Sequence, residues 1–265
     1  MDDLVTERNR ERLERETWTK AGPIVTRMPD EEVLALEERA MATVGDPSAL
    51  GLWGFATGTW ILGTIIGGAI HIAPAEVAAA KAAITAAVPG QVIAATPVYS
   101  PFLAVAPVLL IFGGIAQFIA GLFAYRRASP LLATAFCCFG AFNVTAAVVF
   151  LLQATGGLPM PLSGSTEVLF GFLLESFGFI ALALGIAAMR TNLTLVAMLF
   201  VLAIGYILAG IPDLAAVQSG GWVVIGNIGG WFLVGSAVIA YYLGAAMVVN
   251  SSRHGPVLPI GGKAC

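Results

Sequence analysis

The sequence predicts an all-α membrane protein with six transmembrane helices, small-residue-rich helix packing and both termini cytoplasmic. Three observations carry that reading. First, 58% of the 265 residues are hydrophobic and only 11% are charged, against roughly 25% charged in soluble domains. Second, the charge is segregated. Of 29 charged side chains 18 lie in residues 1–40, leaving 11 for all the rest, too few to face water. Third, the apolar residues fall into six runs, each near the 20 or so residues that cross a bilayer. These runs are placed at about 48–70, 102–125, 130–152, 167–189, 192–212 and 222–249.

The first span opens after Asp46-Pro47, a helix-start pair in which proline suits the first turn. The second follows Pro101, and the third opens at Pro130 after the Arg126-Arg127 break. Arg190-Thr191-Asn192 separates the fourth from the fifth, and Pro212-Asp213 ends the fifth. Residues 74–96 are alanine-rich and apolar, yet carry Glu76 and Lys81 and break at Pro89-Gly90. That leaves about 14 residues of helix, too few to span, so the stretch is read as an external loop with a short surface helix. The domains are therefore a charged tail over 1–45, a transmembrane domain over 46–250 and a C-terminal tail over 251–265.

Basic residues near span ends set the orientation. With six spans both termini share a side, and 12 of the 13 Lys and Arg fall on it, Lys81 being the exception. Both termini are expected in the cytoplasm, beneath a plasma (inner) membrane. Residues 1–40 hold no uninterrupted apolar core, so no cleavable signal peptide is expected and insertion rests on the first span. The tail interleaves acids and arginines at helical spacing, as in Glu11 with Arg15, and Asp30 is placed to cap a short helix. It reads as a solvated, partly ordered arm.

Function classes fall away by inventory. A net charge of −3, with both signs mixed in the tail, excludes nucleic-acid binding. No lysine lies within a span, which excludes a retinal Schiff base. The two histidines, His71 and His254, fall on opposite sides, which excludes a haem held across the bilayer by both. Cys137 and Cys138 are adjacent in an apolar run and Cys265 stands far from them, so they read as small hydrophobes without metal-ligand spacing. Neither a metal nor a cofactor is expected. There is no Gly-rich phosphate loop, no nucleophile constellation and no aqueous domain to hold one, so an enzyme is not expected either.

Two features of the spans remain. Gly54 with Gly58, and Gly226 with Gly230, stand four apart, while Gly113, Gly114 and Gly121 share the second span. Such spacing lets helix backbones approach closely, in a tight bundle or an oligomer interface. Glu175 lies well inside the fourth span, whereas Glu167 belongs to its loop edge and is expected to be solvated. An ionisable residue in a bilayer is a functional hypothesis by default. Glu175 is read either as a proton-carrying carboxylate on a solute path or as a glutamate held by hydrogen bonds within the bundle. Asn143 and Gln117 are its expected partners.

Three stretches go further. Asp46-Pro47-Ser48-Ala49-Leu50-Gly51-Leu52, with Trp53-Gly54-Phe55 after it, resembles the N-P-A-P-L-G-L signature of the acetate uptake transporter family, the acetate/succinate–proton permeases. Phe112-Gly113-Gly114-Ile115-Ala116-Gln117-Phe118-Ile119-Ala120-Gly121 is similar to that family's F/Y-G-G-x-A-Q-x-x-A-G, and Tyr125-Arg126-Arg127 fits the aromatic and two basic residues that come after it there. Gly230-Trp231 and the tail Val257-Leu258-Pro259-Ile260-Gly261 resemble its C-terminal pattern. The resemblance runs from about 46 to 262.

It implies a six-helix subunit, often assembled into homo-hexamers, each with its own path for a small carboxylate. By position the resemblance assigns Asp46, Pro47, Leu50, Gly51, Leu52 and Gln117 to the pathway. Phe55, Phe139 and Leu195 fall on the walls of an apolar constriction. The chain departs from the pattern at Asp46, where the family has asparagine, at Ala49 for the second proline and at Phe139 for a usual tyrosine. Asn143 and Glu175 stand where tryptophans are expected.

The remaining constraints are physical. Thr57, Thr59, Thr145, Asn143 and Gln117 offer neutral donors, and no arginine lies within a span to clamp a carboxylate, which favours weak binding and fast passage. Moving an anion against a negative interior costs about 2.3 kcal/mol per 100 mV, and symport with one proton removes that cost. The expected function is proton-coupled transport of acetate or a relative such as propionate, lactate or succinate, with Glu175 as the proton-coupling residue. A passive anion channel and a membrane sensor or scaffold acting through the N-terminal tail are the alternatives.

Overall fold

The computed structural model describes residues 45–69, 101–155, 157–158, 165–215, 220–253 and 255–262. The chain divides into two compact units, Met1–Gly45 and Asp46–Cys265. The charged tail up to residue 44, the alanine-rich stretch 74–96, His71, His254 and Cys265 lie outside the described residues.

All regular structure among the described residues is helical. Helix α1 is Ser48–Ile66. Helix α2 is three consecutive pieces, Pro101–Val108, a π-helical segment Leu109–Ala116 and Gln117–Arg126. Helices α3 (Pro130–Ala154), α4 (Ser165–Ala187, continued by a 3-10 turn Ala188–Arg190), α5 (Leu193–Leu214) and α6 (Gly221–Ser252) complete the chain order. All six helices are long and apolar enough to cross a membrane. Each expected span coincides with one of them to within a few residues.

Local chemistry explains the ends. α1 stops at Ile66, four residues short of the expected limit, because Gly68 adopts φ 71° and closes a Schellman motif. Ala69 N–H donates to Thr64 O at 3.0 Å and Gly68 N–H to Ile65 O at 3.2 Å. The α2–α3 turn repeats this pattern with Ala128 in the left-handed position at φ 52°, Ser129 N–H donating to Ala124 O at 3.0 Å. Asn192 starts α5 by accepting from Leu195 N–H at 2.8 Å. Pro107, inside α2, withholds a backbone donor just ahead of Leu109–Ala116, where the helix widens to π geometry.

The helices ring a common interior. α6 packs along α1 and α5, α5 along α4, and α2 along α3 and α1, while α3 touches α4 only lightly. Glycines set the closest approaches. A β-carbon on Gly230 would strike the backbone of Gly67 and sit 2.7 Å from Gly63 O, and one on Gly229 would strike Ala209 N and sit 2.8 Å from Gly205 O. The Gly226/Gly230 spacing thus serves packing within the subunit, of α6 on α1 and, through Pro212, on α5.

At the Arg126, Arg190 and Arg253 end, residues 255–262 cross beneath α5 and α6. Asn250 Oδ1 accepts from Val257 and Leu258 N–H, both at 2.8 Å, and Tyr242 donates to Pro259 O at 2.6 Å. Thr194 Oγ1 donates to Ile260 O at 2.8 Å, and Leu193 N–H donates to Gly261 O at 2.5 Å, which satisfies two groups of the exposed first turn of α5.

Gly230→Ala and Gly229→Ala are expected to lower the thermal midpoint of the detergent-solubilised protein by the equivalent of about 1–3 kcal/mol. Gly235→Ala, whose nearest neighbour would be Val201 Cγ1 at 3.8 Å, is expected to leave it unchanged.

Candidate functional site

Five aromatic side chains from four helices meet inside the ring. Phe55 of α1 lies 5.4 Å from Phe139 of α3, centroid to centroid. Tyr206 of α5 stacks on Phe139 at 6.3 Å with 8° between planes and takes Phe142 edge-on at 5.3 Å. Phe177 of α4 closes the group, 4.6 Å from Phe142 and 6.0 Å from Phe139. These separations fall in the favourable range for ring pairs. Phe55, Phe139, Phe142 and Tyr206 are buried and Phe177 half-buried. The cluster, here termed the neck, lies at mid-depth of the bundle and includes Phe55 and Phe139, two of the three expected constriction residues.

A polar group adjoins it. Asn143, one turn beyond Phe139 on α3, donates from Nδ2 to Gly113 O at 2.9 Å and to Gln117 Oε1 at 3.1 Å. A carbonyl only accepts, so Gly113 O fixes which end of the Asn143 amide faces α2. The second hydrogen of the same nitrogen then fixes Gln117 with its oxygen toward Asn143. Gln117 Nε2 is left pointing elsewhere, fully buried and without a hydrogen-bond partner among the described residues. Glycines of α1 admit both side chains. A β-carbon on Gly58 would lie 2.5 Å from Asn143 Nδ2, and one on Gly54 3.1 Å from Gln117 Cβ. Gly54-xxx-Gly58 therefore seats the amides inside one subunit.

The family model described as the GPR1/FUN34/yaaH family matches residues 92–259. The chain belongs to that family, the acetate transporter family. It is 28% identical over 156 residues to the succinate-acetate/proton symporter SatP of Escherichia coli K12, covering 57% of this chain and 76% of that protein. The SatP of Shigella flexneri matches to the same extent. A solved structure described as the bacterial acetate channel SatP superposes with a TM-score of 0.63 at 23% identity, covering 83% of this chain and all of that one. That likeness shows the fold, and together with six apolar helices it makes the chain a multi-pass membrane protein.

The other expected site residues of this family member are dispersed. Asp46 is exposed and its Oδ1 accepts from Ser48 N–H at 2.9 Å. It caps α1, and an asparagine oxygen would make the same bond. Pro47 is half-buried, Leu50 exposed, and Leu52 and Thr59 buried. Gly51 is packed against the ring of Phe136. Leu195 is buried in the first turn of α5, eleven residues from Tyr206 and so about 16 Å from the aromatic cluster along the helix. Thr145 donates to Ala141 O at 3.0 Å on the outer surface, and Thr57 meets Trp53 O and the Tyr241 hydroxyl. Those two hydroxyls are spent outside the neck.

Two expectations are corrected. Glu167 is not solvated: it is 5% exposed in the first turn of α4, where a carboxylate faces the positive end of the helix dipole. Glu175 does not pair with Asn143 or Gln117, which bond each other. It is half-buried over Gly210 of α5, where a β-carbon would come within 3.1 Å of Oε1. Sequence reasoning missed Phe142, Phe177 and Tyr206 as members of the neck. The usable signal was Tyr206, a phenol far from either end of its span, where a hydroxyl needs a partner.

Asn143→Leu keeps the volume but leaves Gly113 O and Gln117 Oε1 without that donor. It is expected to destabilise the protein by about 1–3 kcal/mol, read as a lower thermal midpoint in detergent.

Proposed function

We propose that this chain carries acetate or a related short-chain monocarboxylate through the interior of its six-helix subunit in symport with a proton. The observation that carries the reading is the uncommitted Gln117 Nε2, on a side chain whose β-carbon packs at Gly54, the residue before Phe55 of the aromatic neck. A buried neutral donor without a partner is costly to keep. A solute carboxylate, rich in acceptor lone pairs, would satisfy it in passing. No cation stands in the spans to hold the anion, so binding stays weak and passage fast. The names of the relatives point to acetate, succinate and a proton.

Coupling is a matter of charge. Entry of an anion against an interior-negative potential is opposed by about 2.3 kcal/mol per 100 mV, and a co-transported proton cancels the charge. Glu175, the acid well within α4, is the proposed carrier. The proposed orientation has both termini in the cytoplasm, on the side that carries 12 of the 13 Lys and Arg, and a homo-oligomer, a hexamer by resemblance, is the proposed assembly. A channel for the same anions is the second reading, favoured by a neck without fixed positive charge.

In proteoliposomes, an inward proton gradient is expected to drive labelled acetate above equilibrium, and a protonophore to collapse it. Equilibration independent of the gradient would establish the channel reading, and no flux above empty liposomes would overturn both. Glu175→Gln is expected to bring the accumulation ratio toward one while leaving acetate exchange intact; unchanged accumulation removes the carrier role. Phe55→Ala and Phe139→Ala are expected to widen the neck and admit acids longer than the wild type does. An unmoved size limit would place the constriction elsewhere.

A further inference from the structure

The neck contains one side chain that chemistry sets apart. Phe55, Phe139, Phe142 and Phe177 contribute rings alone, whereas Tyr206 brings a hydroxyl into the same cluster. Its residue exposure is 1%. Burying a phenolic O–H is favourable only when it finds an acceptor, and phenylalanine would fill the same space without that demand. Of the five rings, that of Tyr206 alone carries a group that can donate a hydrogen bond. The rings around it hold it in place: stacked on Phe139 at 6.3 Å, edge-on to Phe142 at 5.3 Å and 6.3 Å from Phe177.

Gln117 brings a second neutral donor from another helix. Its Nε2 is buried without a partner, and its β-carbon lies against Gly54, the residue before Phe55. The packed pair Phe55–Phe139 is thus neighboured by neutral donors on two helices, the unpartnered amide of Gln117 on α2 and the phenol of Tyr206 on α5. We propose that Tyr206 is a specificity-determining residue of the pathway, its hydroxyl donating to the carboxylate of a small monocarboxylate in the neck while the methyl end packs on the rings. This rests on the transport reading above and adds to it the residue that distinguishes an anion from a neutral solute of the same size. A carboxylate is a much stronger acceptor than an amide. The hydroxyl keeps its proton throughout and offers no fixed charge, so the anion is recognised without being trapped.

The test uses the full chain in proteoliposomes with labelled acetate and labelled acetamide. Tyr206→Phe keeps the ring and removes only the hydroxyl. The half-saturation concentration for acetate is expected to rise about tenfold, and the preference for acetate over acetamide to shrink by a similar factor, as for a lost hydrogen bond to a charged group. The maximal rate is expected to stay within about twofold. A half-saturation equal to wild type overturns the proposal, as does a loss confined to the maximal rate or to thermal stability. 3-Fluorotyrosine at position 206, a stronger donor in the same ring, is expected to lower the half-saturation concentration. If Tyr206→Phe fails to reach the membrane, an unmoved half-saturation in the fluorotyrosine protein overturns the proposal. A wild-type protein that moves no acetate overturns instead the transport reading on which it rests.

Discussion

The site depends on the hydrogen bond from Asn143 Nδ2 to the carbonyl of Gly113. In hydrocarbon there is no water to satisfy a side-chain amide or a carbonyl released from its helix, so each must find the other within the protein. The π-helical segment Leu109–Ala116, with Gly113 inside it, is where α2 offers that carbonyl. The bond orients Asn143, Asn143 orients Gln117, and Gln117 presents a donor that the fold does not use. The glycines of α1 complete the arrangement, because a side chain at Gly54 or Gly58 would occupy the space the two amides take. Packing, secondary structure and polar chemistry meet at one residue.

The neck has a physical character of its own. Its walls are rings, whose contacts are individually weak and large only in sum, and its donors are an amide and a phenol. A fixed guanidinium would bind a carboxylate tightly and hold it. Neutral donors stabilise the same anion less and release it sooner. The rings meanwhile impose desolvation, which falls most heavily on larger or more highly charged acids. In the proposed pathway, size and charge would thereby be read by different groups at one level of the bundle.

Much of the fold was legible because a span is a statement about length and hydrophobicity, and both can be counted. Six runs became six helices. The first ended early because Gly67-Gly68 permits a Schellman cap, a local effect that a hydropathy count does not contain. The site was legible where a motif named Gln117, Phe55 and Phe139, and where a polar side chain in an apolar run named Asn143. Phe142, Phe177 and Tyr206 were not so named. In a soluble helix the polar face reveals which residues point inward, but these helices are apolar on every side, so no periodicity separates lipid-facing rings from neck-facing ones. Glu167 was misjudged for a related reason. Position near a span end suggests water, whereas the first turn of α4 is buried. The glycine spacings were read correctly as close packing, but spacing within one helix is silent about the partner across the gap.

The unequal seams of the bundle bear on how a neck of this kind can be both closed and permeable. α6 is fixed to α1 through Gly230 on Gly63 and Gly67, to α5 through Gly229 on Gly205 and Ala209, and again at the basic end through the strap of residues 255–262. α3 is fixed to α2 by the Asn143 amide. Between α3 and the α4–α5 pair the contact is light, and the two are joined at mid-depth by the packing of Phe139 and Phe142 on Phe177 and Tyr206. Backbone-to-backbone glycine contacts tolerate almost no displacement, because any shift creates overlap or a void. Ring pairs stay favourable over centroid separations of about 4.5–7 Å and in both tilted and stacked arrangements, so contacts between side chains can yield where backbone contacts cannot. The fold therefore places its compliant joint across the neck and its rigid joints away from it. On the route proposed above, a solute the size of acetate would part the rings while the glycine seams and the strap hold the rest of the bundle in register.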